Sequence, residues 1–252
     1  MTTPDPNRLG GIDWLDRTRG ALTGAEKRRL LRAVFRGQGE AVAGRLALLF
    51  RRRATAPMAM PMPPDSALAR DAEDAAALQS PSVRHHAYRT WAFGRALATV
   101  DGESVDEELF YVSALLHDAG IEDPVPSEDF TIRSGAAAAA VVERHRSEGH
   151  DDVACVRNAI SAHVTPGASL EIDGAEGFYV QAGAVLDLGG LRLNHLSADL
   201  VDAVNAAHSR ESLFRDFSTY IRAEAAAVPD GRFALLHKTG FVLALRTAPL
   251  PK

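Results

Sequence analysis

The feature that most constrains this chain is a helical repeat of apolar residues, rich in alanine, that continues from segment to segment after residue 65. Apolar positions that recur every 3.6 residues predict amphipathic helices. Alternating runs that would predict a strand are absent until 241–245, within a short tail. The expected fold class is therefore all-α, with helical segments near 66–79, 82–99, 105–118, 134–147, 151–163, 176–188 and 197–226.

Composition divides the chain into four parts. Residues 1–56 are expected to form a helical N-terminal extension, with a helix starting at 23–26 and a second helix over 41–50. The second helix ends in the basic run 51–53, which suits a helix C-terminus, although binding of phosphate or an acidic partner stays open. A connector rich in Met and Pro at 57–64 leads into the main domain, 65–226, and 227–252 form a C-terminal tail.

Bulk properties exclude several classes of protein. The formal net charge of −5 argues against general nucleic-acid binding, which needs a basic surface. No apolar run reaches the roughly 18–20 residues that span a bilayer, and no secretory signal pattern opens the sequence. Cys155 is the only cysteine, so an intrachain disulfide is excluded, and a buried, inert thiol is favoured over a nucleophile. A cytoplasmic protein is expected, and a homo-oligomer stays open.

Two metal-ligand residue types stand side by side at His117 and Asp118, where an apolar helical segment runs into Gly120. An imidazole and a carboxylate at adjacent positions can hold one divalent cation against a packed core. His86 lies upstream and Asp187 downstream, and both are ligand types as well. Nitrogen and oxygen ligands suit zinc, iron, manganese or similar ions. A site built from several thiolates is excluded by the single cysteine.

The order of these motifs, a His, then His-Asp, then a distant Asp, resembles the HD superfamily of metal-dependent hydrolases. Three stretches are similar to its cyanamide hydratase-like branch: HAYRTWAFG at 86–94, LLHDAG at 115–120 and AGAVLDLGG at 182–190. The resemblance spans residues 60 to 225 and implies an HD-domain helical bundle. It also implies that one divalent ion, coordinated by His86, His117, Asp118 and Asp187, activates a water. The expected substrate is a small polar molecule, most often a phosphate ester in this superfamily.

Both His85 and His86 are candidates for the first ligand. The family pattern places an arginine three positions after the ligand, and Arg89 stands there relative to His86, whereas Tyr88 stands there relative to His85. Residues three apart share a helix face, so Arg89 is expected beside the metal. Its planar fork would bind a substrate anion, with a surface salt bridge as the alternative. His86 is therefore preferred, and His85 stays open.

Two further histidines are candidates for the same pocket. His163 ends an amphipathic helix and matches a histidine position common in this branch. It is expected to act with Asp118 in proton transfer, or as an outer partner or extra ligand. His145, in a strongly polar helix end, would complete the order of two-metal members together with His163. A solvated His145 is the simpler interpretation.

One departure from the family pattern leaves the substrate open. Related sequences usually carry a Phe-Glu pair shortly after the His-Asp motif, and this chain has Phe130-Thr131. Hydration of a nitrile-like substrate, dioxygen chemistry at two irons, and a non-catalytic scaffold whose N-terminal helices dock a partner are therefore alternatives to phosphoester hydrolysis. Four acids of the same loop are candidates to replace the missing glutamate, or simply solvated: Glu122, Asp123, Glu128 and Asp129.

Overall fold

A computed structural model describes residues 8–50, 57–146 and 149–250. Within these ranges the chain forms twelve α-helices and no strand, which confirms the predicted all-α class. None of these helices is long and apolar enough to cross a membrane. The helices are α1 (Ile12–Thr18), α2 (Gly24–Phe50), α3 (Ala67–Ala76), α4 (Pro81–Asp101), α5 (Glu107–Leu116), α6 (Phe130–His145), α7 (His150–His163), α8 (Leu170–Gly189), α9 (Ala198–Ala207), α10 (Leu213–Ala227), α11 (Arg232–Lys238) and α12 (Phe241–Arg246), with a 3-10 turn at Leu193–His195.

Local side chains define where the helices near the predicted site begin. Ser66 accepts a hydrogen bond from the backbone N–H of Ala69 at the start of α3, and Ser169 caps α8 in the same way. Asp106 accepts two backbone N–H groups at the start of α5. These bonds satisfy amide groups that a helix leaves without a partner in its first turn. Pro81 opens α4, where a missing N–H costs nothing.

The core is centred on α4 and α8, which pack against each other at glycine. An ideal Cβ at Gly183 would lie 2.1 Å from the backbone oxygen of Thr90, and one at Gly94 would lie 2.4 Å from that of Tyr179. Only glycine permits backbones to approach this closely. The contact matters for function because α4 carries His86 and α8 carries Asp187.

The N-terminal extension differs from its prediction in two ways. The two expected helices are one continuous helix, α2, and the region before Leu22 contains a short helix, α1, that its irregular pattern did not reveal. Trp14 and Leu15 of α1 are buried with Leu30 of α2, so α1 packs onto the body of the protein. The basic run 51–53 lies outside the described residues.

Two predictions for the second half of the chain are wrong. The expected helix 197–226 is interrupted between α9 and α10, where the carbonyl oxygens of His208 and Ser209 accept hydrogen bonds from the Arg89 guanidinium. The run 241–245 lies in helix α12 instead of a strand. In the connector, Met58 and Met60 pack against the main core.

Cys155 agrees with the inert role expected for it. Its thiol is partly buried in α7, and burial together with nearby carboxylates such as Glu176 raises the pKa of the thiol to about 12. The thiolate that a nucleophile needs is therefore scarce at neutral pH.

Candidate metal centre

Three imidazoles from three helices meet one carboxylate in the core. His86 lies in the second turn of α4, His117 and Asp118 follow the end of α5, and His163 is the last residue of α7. His86 and His117 are fully buried, Asp118 is 3% exposed and His163 is 8% exposed. The end of α5 lies in the interior, so the adjacent residues His117 and Asp118 are buried and not exposed to solvent.

The ligand atoms of His86, His117 and Asp118 all lie within 4.8 Å of one another, the spacing of a site that can hold one metal ion. The Nε2 atoms of His86 and His117 lie 3.6 and 3.3 Å from Oδ2 of Asp118. His163 approaches from the other side, with its Nε2 3.4 Å from Oδ1 of the same carboxylate. All three rings therefore present the same nitrogen to Asp118.

The opposite nitrogen of each ring holds a proton. Nδ1 of His117 donates to the carbonyl oxygen of Ala114 at 2.7 Å, and Nδ1 of His163 donates to that of Ile160 at 2.5 Å. Nδ1 of His86 donates to the Asp187 carboxylate at 2.6 Å. Because a neutral imidazole carries a single N–H, Nε2 of each ring has a lone pair whenever that ring is neutral. Bonds of this kind orient the imidazole ligands of metal sites.

These lone pairs face a negative charge. Burial lowers the pKa of His86 and of His163, which favours their neutral forms. Burial opposes ionisation of Asp118 as well, but His117 and His163 outweigh it and hold the pKa of that carboxyl well below its usual range. For His117 the charge of Asp118 outweighs burial and raises the pKa, so this one ring can carry a second proton.

Atoms left without partners mark the place where a cation fits. Nε2 of His117 and Oδ1 of Asp118 are buried and accept no hydrogen bond in the described part of the chain. Nε2 of His86 has only a long contact, 3.5 Å, with the hydroxyl of Thr90. A second proton on His117 would donate to Asp118 but would leave the Nε2 lone pairs of His86 and His163 without a donor. A divalent ion can satisfy these acceptors together, because neutral imidazole nitrogens and carboxylate oxygens are common metal ligands.

Asp187 lies on the outer side of His86, away from this convergence. Its Oδ2 accepts from Nδ1 of His86, and both of its oxygens accept from Arg89 at 2.8 and 3.0 Å. Arg210 also donates to Oδ1. Burial opposes ionisation of Asp187, but Arg89 and Arg210 outweigh it and lower the pKa of this carboxyl far below its usual range. The structure brings Asp187 to the site as the partner of a ligand, and direct coordination stays a prediction.

Arg89 does not have the free fork that the anion-binding hypothesis requires. Its Nε and Nη2 donate to Asp187, its Nη1 donates to the carbonyl oxygens of His208 and Ser209, and its side chain is fully buried. Arg89 and His86 both contact Asp187, so their side chains lie on the same side of α4. The Arg89 guanidinium therefore holds Asp187 and the backbone after α9 in position.

The remaining histidine candidates lie elsewhere. Nε2 of His145 lies 3.0 Å from Asp71 at the surface, so it is not part of the cluster. The ring of His85 lies 5.9 Å from that of His208, and it is His86 that joins the metal group. Phe217 packs against His86 with ring centroids 4.8 Å apart and forms an apolar wall.

Thr131, the residue that departs from the pattern of the resemblance, is part of a buried polar network. The Thr131 hydroxyl donates to Asp129 and accepts from Arg232, whose guanidinium also pairs with Asp129. The carboxylate of Glu224, from α10, accepts the backbone N–H of Phe130. Of the four loop acids, Asp129 therefore pairs with Arg232, and Glu128 pairs with Arg133.

Sequence reasoning missed three charged residues that pair with Asp187 or with the Asp129–Thr131 network from distant parts of the sequence. Arg210, Glu224 and Arg232 are more than 20 positions from the nearest predicted ligand, and no local pattern marks them. The only available signal was the presence of charged residues inside otherwise apolar helical segments.

Comparison with known proteins adds no assignment. No family model matches the chain, and no curated protein is significantly similar to it.

Proposed function

We propose that this protein is a metal-dependent hydrolase of the HD type that acts on a small polar substrate, with a phosphate ester as the first choice. The observation that carries the proposal is the convergence of three buried Nε2 lone pairs on the Asp118 carboxylate. His86, His117 and Asp118 would hold one divalent ion, and the resemblance adds Asp187. A bound divalent ion lowers the pKa of water toward neutrality and so supplies the nucleophile.

His163 and Asp118 would manage the protons. His163 is the most exposed of the three imidazoles, and its Nε2 lies 3.4 Å from Oδ1 of Asp118. Because burial lowers the pKa of His163, its neutral form can accept a proton from water and return it to a leaving group. Its Nδ1–H bond to Ile160 keeps Nε2 directed into the site through both steps.

A second candidate, hydration of a nitrile-like substrate, is favoured by the occupied arginines. Arg89 uses its donor nitrogens on Asp187 and on two backbone carbonyls, and Arg210 pairs with Asp187 through Nη1, so this carboxylate already offsets part of the positive charge of both guanidiniums. Addition of water to an uncharged, electrophilic carbon needs no such cation. The two proposed reactions use the same metal ligands and the same residues for proton transfer. They differ in the side chains that the substrate needs around it.

Elemental analysis of purified protein tests the shared part of the proposal. We expect about one equivalent of a divalent metal per chain, lost in Asp118→Ala and His117→Ala and retained in the control Asp123→Asn. Loaded protein is then assayed with phosphomonoesters and with cyanamide, for which urea is the product. Protein that takes up no metal from supplemented medium would contradict the proposal and favour a non-catalytic scaffold.

A further inference from the structure

Three large apolar side chains form a stripe along the exposed side of α2. Phe35 is 62% exposed, Val42 is 56% exposed and Leu46 is 51% exposed. They stand seven and four positions apart, so at about 100° per residue they lie within about 40° of one another around the helix. Leu30 and Val34, which are buried against the body, lie about 100–140° away from Phe35. The apolar stripe is therefore a second apolar face of α2, distinct from the face that packs against the body.

The second half of α2 is not covered by the rest of the described chain. Every residue of 38–46 whose side chain the structure describes is exposed. A Cβ placed on Gly37 or Gly39 would meet no atom within 4 Å, so these glycines are not required by packing. Glycine weakens a helix, and most of the stability of a helix in a protein comes from packing of an apolar face. Isolated exposed apolar residues are ordinary, but a continuous line of them on such a helix indicates an interaction surface.

Arginines border the apolar stripe on the side away from Val34. Arg28, Arg32 and Arg36 are exposed and lie about 20, 60 and 100° around the helix from Phe35. Of the basic side chains of α2 that the structure describes, only Lys27 forms an ion pair, with Asp230. The sequence of α2 contains six basic and two acidic residues, although the whole chain has a formal net charge of −5. The surface beside the stripe therefore carries unbalanced positive charge.

This combination of charge and apolar surface selects the kind of partner. A second copy of the chain docked through the same stripe would face one basic helix with another, and like charges across an interface are unfavourable. A nucleic acid would meet the arginines through its phosphates but would leave the apolar stripe in water. An anionic membrane surface satisfies both, because arginines meet the headgroups while apolar side chains enter the boundary with the acyl chains.

We propose that α2 binds the surface of a membrane that contains anionic lipids, through the apolar stripe and the arginines beside it. The helix lies in the plane of the surface, with about 16 Å of its length, from Phe35 to Leu46, in contact with lipid. Neither the metal ion nor the substrate takes part, so the proposal is independent of the function proposed above.

Sedimentation of the full chain with lipid vesicles tests the charge requirement. We expect binding to vesicles of phosphatidylcholine and phosphatidylserine in equal parts, no binding to phosphatidylcholine alone, and weaker binding as salt is added. Arg32→Gln combined with Arg36→Gln should weaken binding by about tenfold or more. The control pair, Arg215→Gln with Arg222→Gln, removes the same charge from exposed positions of α10 and should bind like the wild type.

A second pair of variants tests the apolar stripe without changing charge. Val42→Ser combined with Leu46→Ser should weaken binding to the anionic vesicles by about tenfold or more, because less apolar surface leaves water. The control is Val100→Ser with Leu243→Ser, which changes the same residue types at positions 43% and 63% exposed on other helices. This control should bind like the wild type.

Phe35→Trp reports whether the stripe enters the lipid. Its emission should shift to the blue on binding and be quenched by brominated acyl chains, whereas Trp14 and Trp91, 2% and 1% exposed, supply a constant background. Asp118→Ala should bind vesicles normally, which separates this result from the fate of the metal centre.

Four outcomes would overturn the proposal. They are no binding to anionic vesicles, equal binding to both kinds of vesicle, equal loss in a variant pair and its control, and a wild-type dimer that Val42→Ser with Leu46→Ser dissociates. Binding to soluble polyglutamate without binding to vesicles would likewise overturn it and would indicate an acidic protein as the partner.

Discussion

At the scale of single residues, the protein separates groups that face the metal position from groups that orient them. Asp118 faces three Nε2 atoms, whereas Asp187 holds the opposite nitrogen of His86 and is itself held by two arginines. The two carboxylates are therefore expected to respond differently to removal of their charge.

Asp187→Asn should weaken metal binding without abolishing it. The amide oxygen still accepts from Nδ1 of His86, so we expect a loss of about 10–100-fold in affinity, as for other partners of metal ligands. The free energy of unfolding should fall by about 3–5 kcal/mol because Arg89 and Arg210 lose their buried counter-charge. Competition with a chelator and urea unfolding measure the two effects.

The control for this variant is Asp71→Asn, which breaks a surface pair with Arg144 and should cost under about 1 kcal/mol. If Asp187→Asn lost the metal as completely as Asp118→Ala, Asp187 would be a direct ligand, as the family resemblance implies.

Glu224 should make stability depend on pH. Burial, followed by the nearby charge of Asp129, raises the pKa of Glu224 to about 7, above the value of about 4.3 in an unfolded chain. The folded state therefore binds the proton more tightly, and the free energy of unfolding should fall by up to about 4 kcal/mol as pH rises between these two values. Below both values the contribution is constant.

Glu224→Gln keeps an acceptor for the Phe130 N–H and has no charge to bury. Urea unfolding of chelator-treated protein at about pH 5 and about pH 8 should show a difference for the wild type that is reduced in this variant. An equal pH dependence in both proteins would contradict the role given to Glu224.

At the scale of elements, the spacing between α4 and α8 determines whether His86 and Asp187 meet. Gly183→Ala places a methyl group 2.1 Å from the Thr90 oxygen, so the helices must separate, at a cost of about 1–3 kcal/mol or more. The same substitution at Gly39 of α2 meets no atom within 4 Å and should stabilise by about 0.5–1 kcal/mol through helix propensity.

Denaturant unfolding of both glycine variants should show a lower free energy of unfolding for Gly183→Ala and a higher one for Gly39→Ala. Metal affinity should fall only in Gly183→Ala. Equal stability changes in the two variants would show that the α4–α8 contact tolerates separation.

At the scale of the whole molecule, the N-terminal region is joined to the body by α1. Trp14 is 2% exposed, donates to Glu26 of α2, and lies 5.3 Å from the Arg232 guanidinium. Deletion of residues 1–22 should therefore lower the free energy of unfolding by at least about 3 kcal/mol, the cost of losing one buried tryptophan.

The shorter deletion 1–7, which leaves α1 intact, is the matched control for thermal and urea unfolding. Unchanged stability after deletion of residues 1–22 would mean that α1 does not stabilise the body of the protein.

The sequence by itself was sufficient for the all-α class and for the choice of His86, His117 and Asp118 as a buried group. Helical periodicity is a local property, and a His-Asp pair after an apolar segment enters the core wherever that segment packs. Most helix positions between α3 and α8 followed from the same pattern, and α1 was missed because one short helix shows too little of it.

Only the tertiary structure decided which charged groups share a partner. Arg89 was expected to bind substrate, but Asp187 and the carbonyl oxygens after α9 accept hydrogen bonds from its guanidinium. These carbonyl oxygens lie where a segment that periodicity predicts as one helix is interrupted. Arg210, between α9 and α10, pairs with Asp187, and Glu224 of α10 accepts the backbone N–H of Phe130, although both residues are far from these partners in the sequence. Electrostatic partners are set by distances through space, which a linear pattern does not contain.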